Sequence, residues 1–180
     1  MDEVAVIALV QAGNSDAFAD IIEKYQIPIQ RYLYRLTGDY ELAKDLAQDT
    51  FVQAYKGILK TKEDISFKAW LYRIATNNAW QYHRRKKLIS FISFEDSRES
   101  DRQSDATRDN CINDSMETQE ALIKVPNEQR VCLILHLVEG FKYKEIAKTL
   151  GISEDAVRMR VARGKETFKK FYRGGEDDEL

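Results

Sequence analysis

Four side chains near the carboxyl end of this chain could read a DNA duplex. Arg158, Met159, Ala162 and Arg163 share one face of a helix in the run YKEIAKTLGISEDAVRMRVAR, from Tyr143 to Arg163. Arginine donates hydrogen bonds to base edges and phosphates. Methionine and alanine meet only apolar features, the thymine methyl group or the groove's shape. For these four to face outward, Val157 and Val161 must face inward, and they hold the matching positions. The preceding residues fit the same plan. Ile146, Ala147 and Leu150 repeat at helical spacing, and Gly151 follows where the chain must reverse in a left-handed turn. Ile152 packs back into the angle. Ser153 can cap the next helix, with Glu154 and Asp155 at the positive end of its dipole. Small Ala147 lets the helices cross closely, as a helix-turn-helix requires. An ordinary helical hairpin in a core is the plainer alternative. The agreement of every inward and outward position speaks against it.

A second stretch carries chemistry of another kind. FKAWLYRIATNNAWQYHRRKK, residues 67–87, interleaves aromatic rings with bases. Flat rings on which bases stack, beside cations for the backbone, suit single-stranded nucleic acid. Trp70 and Tyr82 share a face with Leu71, Ile74, Ala75 and Asn78, and are expected in the core. Tyr72, Asn77 and Trp80 are the expected open positions, followed by the cations Arg84, Arg85, Lys86 and Lys87. A third stretch, DLAQDTFVQAY, sets Asp45, Gln48 and Asp49 outward with Phe51 and Tyr55 nearby. Acid mixed with aromatic surface suits a protein partner with a basic patch. A solvated helix face accounts for the same residues.

No catalytic arrangement stands out, so an enzyme is not expected. His83 and His136 have no matching partners. His136 lies between Leu135 and Leu137 and reads as a satisfied imidazole, while His83 precedes the RRKK run and reads as a phosphate neighbour. There is no phosphate-cradling glycine loop and no nucleophile elbow. Cys111 and Cys132 are far apart, in no metal-binding spacing, and Cys132 lies in an apolar run as a small buried hydrophobe. No cofactor or metal is expected.

The elements that must position these side chains are all helical. The chain has 180 residues with two prolines and eight glycines, and its apolar residues follow long 3.6-residue periods. Its formal charge is −2, which does not suggest nucleic acid, but the charges are segregated. Bases concentrate at 84–87 and over 158–173. Acids concentrate at 95, 96, 99, 101, 105, 109 and 114. That acidic stretch has almost no apolar residues and cannot build a core. The expectation is therefore all-α. Two small helical domains, 1–92 and 117–173, would be joined by a flexible acidic linker, 93–116, with an acidic tail at 174–180. Within the first domain the periods place helices at about 3–12, from Ser15 to Gly38, at 40–56 and at 67–87. Pro28 should kink or break the second of these. No run is long enough to insert in a membrane, and the acidic start is no signal peptide. A cytoplasmic setting follows.

In this order the pieces resemble a sigma factor of bacterial RNA polymerase, of the extracytoplasmic-function (ECF) group. DLAQDTFVQAY resembles the family's segment that binds core polymerase. FKAWLYRIATNNAWQYHRR resembles its segment that melts DNA and reads the minus-ten element. VPNEQRVCLILHLVEGFKYKEIAKTLGISEDAVRMRVARGKETFKKF resembles the domain that reads the minus-thirty-five element. The resemblance covers about 8–90 and 117–172. It implies docking on core RNA polymerase through Asp45, Gln48, Asp49, Phe51 and Tyr55. It implies a base flipped from the non-template strand, held by the loop at about 59–68 and the start of the fourth helix with Asn77 near it, and Tyr72, Trp80, Arg84 and Arg85 holding the opened strand. It implies Arg158, Met159, Ala162 and Arg163 in the major groove of promoter DNA, with Lys142, Arg160 and Lys165 on phosphates. It also implies an anti-sigma factor that covers these faces. The chain departs from the family pattern at Val125, Gln81, Asp155, Ala156 and Gly164. A glycine inside a helix costs about 1 kcal/mol, so Gly164 should loosen the reading helix. A stand-alone helix-turn-helix regulator and a helical protein-interaction module are the competing readings.

Overall fold

A computed structural model describes residues 3–58, 66–92 and 116–173. The expected acidic linker and tail lie outside these residues, except that Met116 opens a helix. Residues 59–65 of the loop expected to hold the flipped base lie outside them too. The described residues form eight α-helices and no strand. The first group is α1 (Glu3–Gln11), α2 (Ala17–Thr37), α3 (Tyr40–Ile58) and α4 (Phe67–Ile92). The second is α5 (Met116–Lys124), α6 (Asn127–Leu137), α7 (Tyr143–Leu150) and α8 (Glu154–Arg173).

Periodic burial explains the first group. Helix α2 turns Phe18, Ile21, Tyr25, Ile29, Tyr32, Leu33 and Leu36 inward. The Asn14 side chain accepts the Ala17 N–H at 3.3 Å, and Gly38 closes the other end at φ 74° by donating to the Tyr34 carbonyl. The break expected at Pro28 does not occur, because α2 continues through it. A proline inside a helix costs about 3 kcal/mol, and buried side chains on both sides of Pro28 offset that. Helix α1 is tied to α2 where the Glu3 carboxylate meets Lys24 and Tyr25.

Helices α3 and α4 are held to this base by rings and by a short polar relay. Trp70 lies over Gly57, where an added Cβ would come within 2.8 Å of the indole. Asn78 is buried, and it donates to Thr50 at 3.2 Å and accepts from Gln53 at 2.9 Å. Tyr32 and Thr76 share a hydroxyl hydrogen bond of 2.7 Å. Each polar group that α4 buries on this side has a partner, as burial requires.

The second group builds its core from Val131, Leu135, Ile146, Val157 and Val161. Gly164 lies inside α8, which continues through it. It is buried where α8 crosses the first turn of α6, and an added Cβ would lie 3.3 Å from the Gln129 carbonyl. The glycine allows the crossing. Cys132 is buried as expected.

The two groups pack against one another through α2 with α5 and α6, and α4 with α7. Ile123 lies on Gly38, where an added Cβ would be 3.0 Å from its side chain. Gln119 donates to the Tyr34 carbonyl at 3.1 Å. Arg130, 5 % exposed, donates to the Leu36 carbonyl at the end of α2 and to the Ile123 and Val125 carbonyls of its own group. Burial pushes its guanidinium down to about 10.

Candidate nucleic-acid and polymerase interfaces

The helix-turn-helix forms as its residues require. The Lys142 N–H donates to the Glu145 carboxylate at 2.7 Å, which closes the start of α7. Gly151 takes φ 67° and donates to the Ala147 carbonyl. Ser153 accepts the Ala156 N–H at 3.1 Å and caps α8. With Val157 and Val161 buried, Arg158, Met159, Ala162 and Arg163 are all exposed, Met159 by 52 %. Lys142 and Lys165 are exposed beside them.

The basic side chains of α8 are not equivalent. Arg158 is paired with Asp155 at 2.9 Å and with Glu154 at 3.9 Å, all three well exposed. Arg160 is half-buried and paired with Glu128 at 2.6 Å, so it binds α8 to α6. Arg163 is exposed and has no ion pair among the described residues.

On α4 the structure divides the expected open residues. Asn77 is exposed, Trp80 is half-buried, and Arg84 and Arg85 are exposed. Trp70 is in the core as expected, while Tyr82 is half-buried against it. Tyr72 is not open: it is 1 % exposed. Its ring lies 4.9 Å from Tyr32 and 5.3 Å from Phe141, and its hydroxyl donates to Glu139. The reason is Phe141 and Glu139 of the second group, which cover the first two turns of α4. Burial and the neighbouring Glu139 carboxylate raise the Tyr72 hydroxyl far above the usual phenol range.

Farther along α4, Trp80, His83, Arg84, Lys86 and Lys87 line a cleft of about 760 Å³, closed by Asn127 and Glu128 at the start of α6. Burial, Arg130 and Lys86 together lower His83, which favours its neutral form. Arg84, Lys86 and Lys87 therefore supply the cleft's positive charge.

On α3, Asp45, Gln48 and Asp49 are exposed as expected. Phe51 is buried beside them, and Tyr55 is half-buried with its ring edge-on to Phe18 at 5.2 Å. These rings form the floor of an open groove of about 560 Å³ between α2 and α3, with Ile22, Gln48 and Val52 on its walls. Sequence reading missed the groove. Val52, 47 % exposed yet apolar and off the inner stripe, was the signal for it. It also missed Glu139, whose position gives no periodic cue.

His136 is satisfied as expected, its Nδ1 2.9 Å from the Phe141 carbonyl. Among the described residues no group of three or more metal-ligating side chains is found, and no helix is long and apolar enough to cross a membrane.

Comparison with known proteins gives consistent findings. Residues 21–89 match the family described as Sigma-70 region 2, and residues 115–168 the family described as Sigma-70, region 4. The chain is 30 % identical over 177 residues to the ECF RNA polymerase sigma factor SigW of Bacillus subtilis, covering 93 % of this chain and 95 % of that one. It is 29 % identical to the RNA polymerase sigma-H factor of Pseudomonas aeruginosa over 92 % of this chain and 91 % of that one. In fold it resembles the sigma factor RpoE of Bartonella quintana, solved with the anti-sigma factor NepR. The TM-score is 0.70 at 24 % identity, over 86 % of this chain and 97 % of that one. A similar likeness holds to CnrH, solved with the cytosolic domain of CnrY, at a TM-score of 0.68 and 20 % identity over 98 % and 97 %.

Proposed function

The chain belongs to the extracytoplasmic-function sigma factors of bacterial RNA polymerase, and from that membership we propose how its residues divide the work. The helices of 1–92 dock on core polymerase and take hold of the melted strand. Those of 117–173 grip the upstream duplex. The acidic linker between them threads the polymerase's nucleic-acid channel. The observation that carries this reading is the outer face of α8, where Arg158, Met159, Ala162 and Arg163 stand exposed opposite buried Val157 and Val161.

In the major groove, Arg158 and Arg163 donate to base edges while Met159 and Ala162 meet apolar features. Lys142 and Lys165 steady the backbone. Arg160 joins them when it leaves Glu128. On α4, Asn77, Trp80, Arg84 and Arg85 bind the opened strand, with Trp80 as a stacking ring. Tyr72 joins that face when the second group moves aside. Asp45, Gln48 and Asp49 form the charged rim of the polymerase contact, and Phe51 and Tyr55 act from the floor of the groove beside them. The factor acts in the cytoplasm without a cofactor, a metal or a reaction of its own, and an anti-sigma protein holds it in reserve.

Docking is tested by assembly of the Asp45→Arg and Asp49→Arg variants with purified core polymerase. Weaker assembly, with helical content unchanged, is the expected result. Unchanged affinity for both variants refutes the assignment of that face.

A further inference from the structure

The cleft between α4 and α6 has a lining that promoter contacts do not account for. Trp80, His83, Arg84 and Lys87 follow one another at helical spacing along one stripe of α4, with Lys86 beside them. A helix advances about 1.5 Å per residue, so the Trp80 position lies roughly 6 Å along α4 from Arg84 and roughly 10 Å from Lys87. Three cations thus stand one to two turns beyond an aromatic face. Trp80 is half-buried against the core, so its ring is held in place before anything binds.

The opposite wall is of another kind. Asn127 and Glu128 come from the first turn of α6, where no side chain caps the helix. One Glu128 oxygen takes Arg160 at 2.6 Å, yet the side chain is 67 % exposed. Its second oxygen is left to accept hydrogen bonds, and the Asn127 amide both donates and accepts. The volume of about 760 Å³ is that of a small-molecule site. Charge along the lining does not suit an apolar occupant. Inorganic phosphate would leave the ring and the carboxylate unused. A nucleic-acid strand carries a phosphate on either side of each base, so one would face Glu128. A mononucleotide carries all its charge at one end, and its ribose hydroxyls are donors of the kind a carboxylate accepts.

We infer that this cleft binds a ribonucleoside 5′-triphosphate, with the base on Trp80, the phosphates on Arg84, Lys86 and Lys87, and a ribose hydroxyl on Glu128. The bound nucleotide occupies the ring and the arginine assigned above to the opened strand, so it competes with single-stranded DNA. That competition, unlike the binding itself, rests on the strand-binding role proposed for α4.

The full chain is titrated with ATP and with GTP, and with dATP, dGTP and inorganic tripolyphosphate for comparison. Calorimetry reads affinity and stoichiometry. Tryptophan fluorescence reads the ring: of the two tryptophans, Trp70 is 7 % exposed in the core, so quenching reports Trp80. The expected result is one saturable, quenching site for at least one ribonucleotide. It binds about tenfold more tightly than tripolyphosphate, the worth of one stacked base. It binds about fivefold more tightly than its deoxy form, the worth of one hydrogen bond to a charged group. Arg84→Glu, at an exposed position, removes the binding at unchanged helicity by circular dichroism. Glu128→Ala removes the preference over the deoxy form and leaves tripolyphosphate binding no weaker. No saturable binding of either ribonucleotide up to millimolar concentration, tripolyphosphate as tight as both, or wild-type binding by folded Arg84→Glu overturns the site. Anisotropy of dye-labelled, mixed-sequence single-stranded DNA then reads the competition. Displacement by the ribonucleotide supports both assignments. A ribonucleotide that binds with these preferences and leaves strand binding unchanged keeps the site and overturns the strand-binding role of Trp80 and Arg84.

Discussion

The two outward arginines of α8 should differ in what they contribute to promoter binding, and the difference follows from their neighbours. Arg163 is exposed with no ion pair among the described residues, so it reaches the groove without giving up a partner. An arginine that reads a base is worth about 1–3 kcal/mol, so Arg163→Ala should weaken binding about 5- to 150-fold. Arg158 must first leave Asp155 at 2.9 Å and Glu154 at 3.9 Å. Exposed pairs contribute about 0.2–1 kcal/mol each before screening by salt. Arg158 and Asp155 are 60 % and 83 % exposed, which places the loss at the low end of that range. Arg158→Ala should therefore cost about twofold less than Arg163→Ala. Asp155→Asn frees Arg158 and removes a negative charge facing the phosphates, so it should tighten binding about twofold (roughly 0.4 kcal/mol). The assay is competition binding of reconstituted holoenzyme to a promoter duplex at fixed salt, since phosphate contacts make affinity salt-dependent. An Arg158→Ala loss as large as that of Arg163→Ala, together with no gain from Asp155→Asn, refutes the argument from partners.

Two further outcomes follow from the packing. Gly57→Ala gains about 1 kcal/mol of helix propensity but drives a methyl into the Trp70 ring, an overpacking cost of about 1–3 kcal/mol. The clash, 2.8 Å before relaxation, decides the sign, so thermal unfolding followed by circular dichroism should show a melting point lower by a few degrees. Burial raises Glu139 above the ordinary glutamate value of 4.5, against the opposing pull of Tyr72, Arg35 and Lys68. A carboxyl raised by the packing of the two helix groups favours that packing below its ordinary value and loses that contribution as pH rises through its raised value. Small-angle scattering should therefore show the chain tightening as pH falls from neutral towards that value. His83, lowered by burial, Arg130 and Lys86, works in the opposite direction. The part due to Glu139 is the part that Glu139→Gln abolishes.

The helices were legible in the sequence because one-sided burial leaves a periodic trace. The inward positions of α2, α3 and α8 follow from that trace, and Gly38, Gly151 and Ser153 mark helix ends by their own chemistry. Tyr72 was misread for a physical reason. Its ring packs on Tyr32 of the first group, and Phe141 and Glu139 arrive from the second group to close off the rest. Periodicity within one helix carries no information about a partner so distant in the chain. A break at Pro28 does not follow from the penalty alone, because the buried residues on either side hold α2 together. The packing role of Gly164 was not legible, because a propensity argument cannot see the Gln129 carbonyl that α8 crosses. The groove beside Phe51 escaped notice because it is made by two helices, each of which shows only half of it.

The most direct test of the chain's role is transcription by purified core polymerase on total genomic DNA of the source bacterium, with and without this chain, read as the 5′ ends of the transcripts. The account predicts discrete 5′ ends that appear only when the chain is added and share a two-part upstream sequence. It predicts that Arg163→Ala weakens these starts and relaxes the upstream part alone. No chain-dependent starts, or specific protection of DNA by the chain in the absence of polymerase, contradicts it.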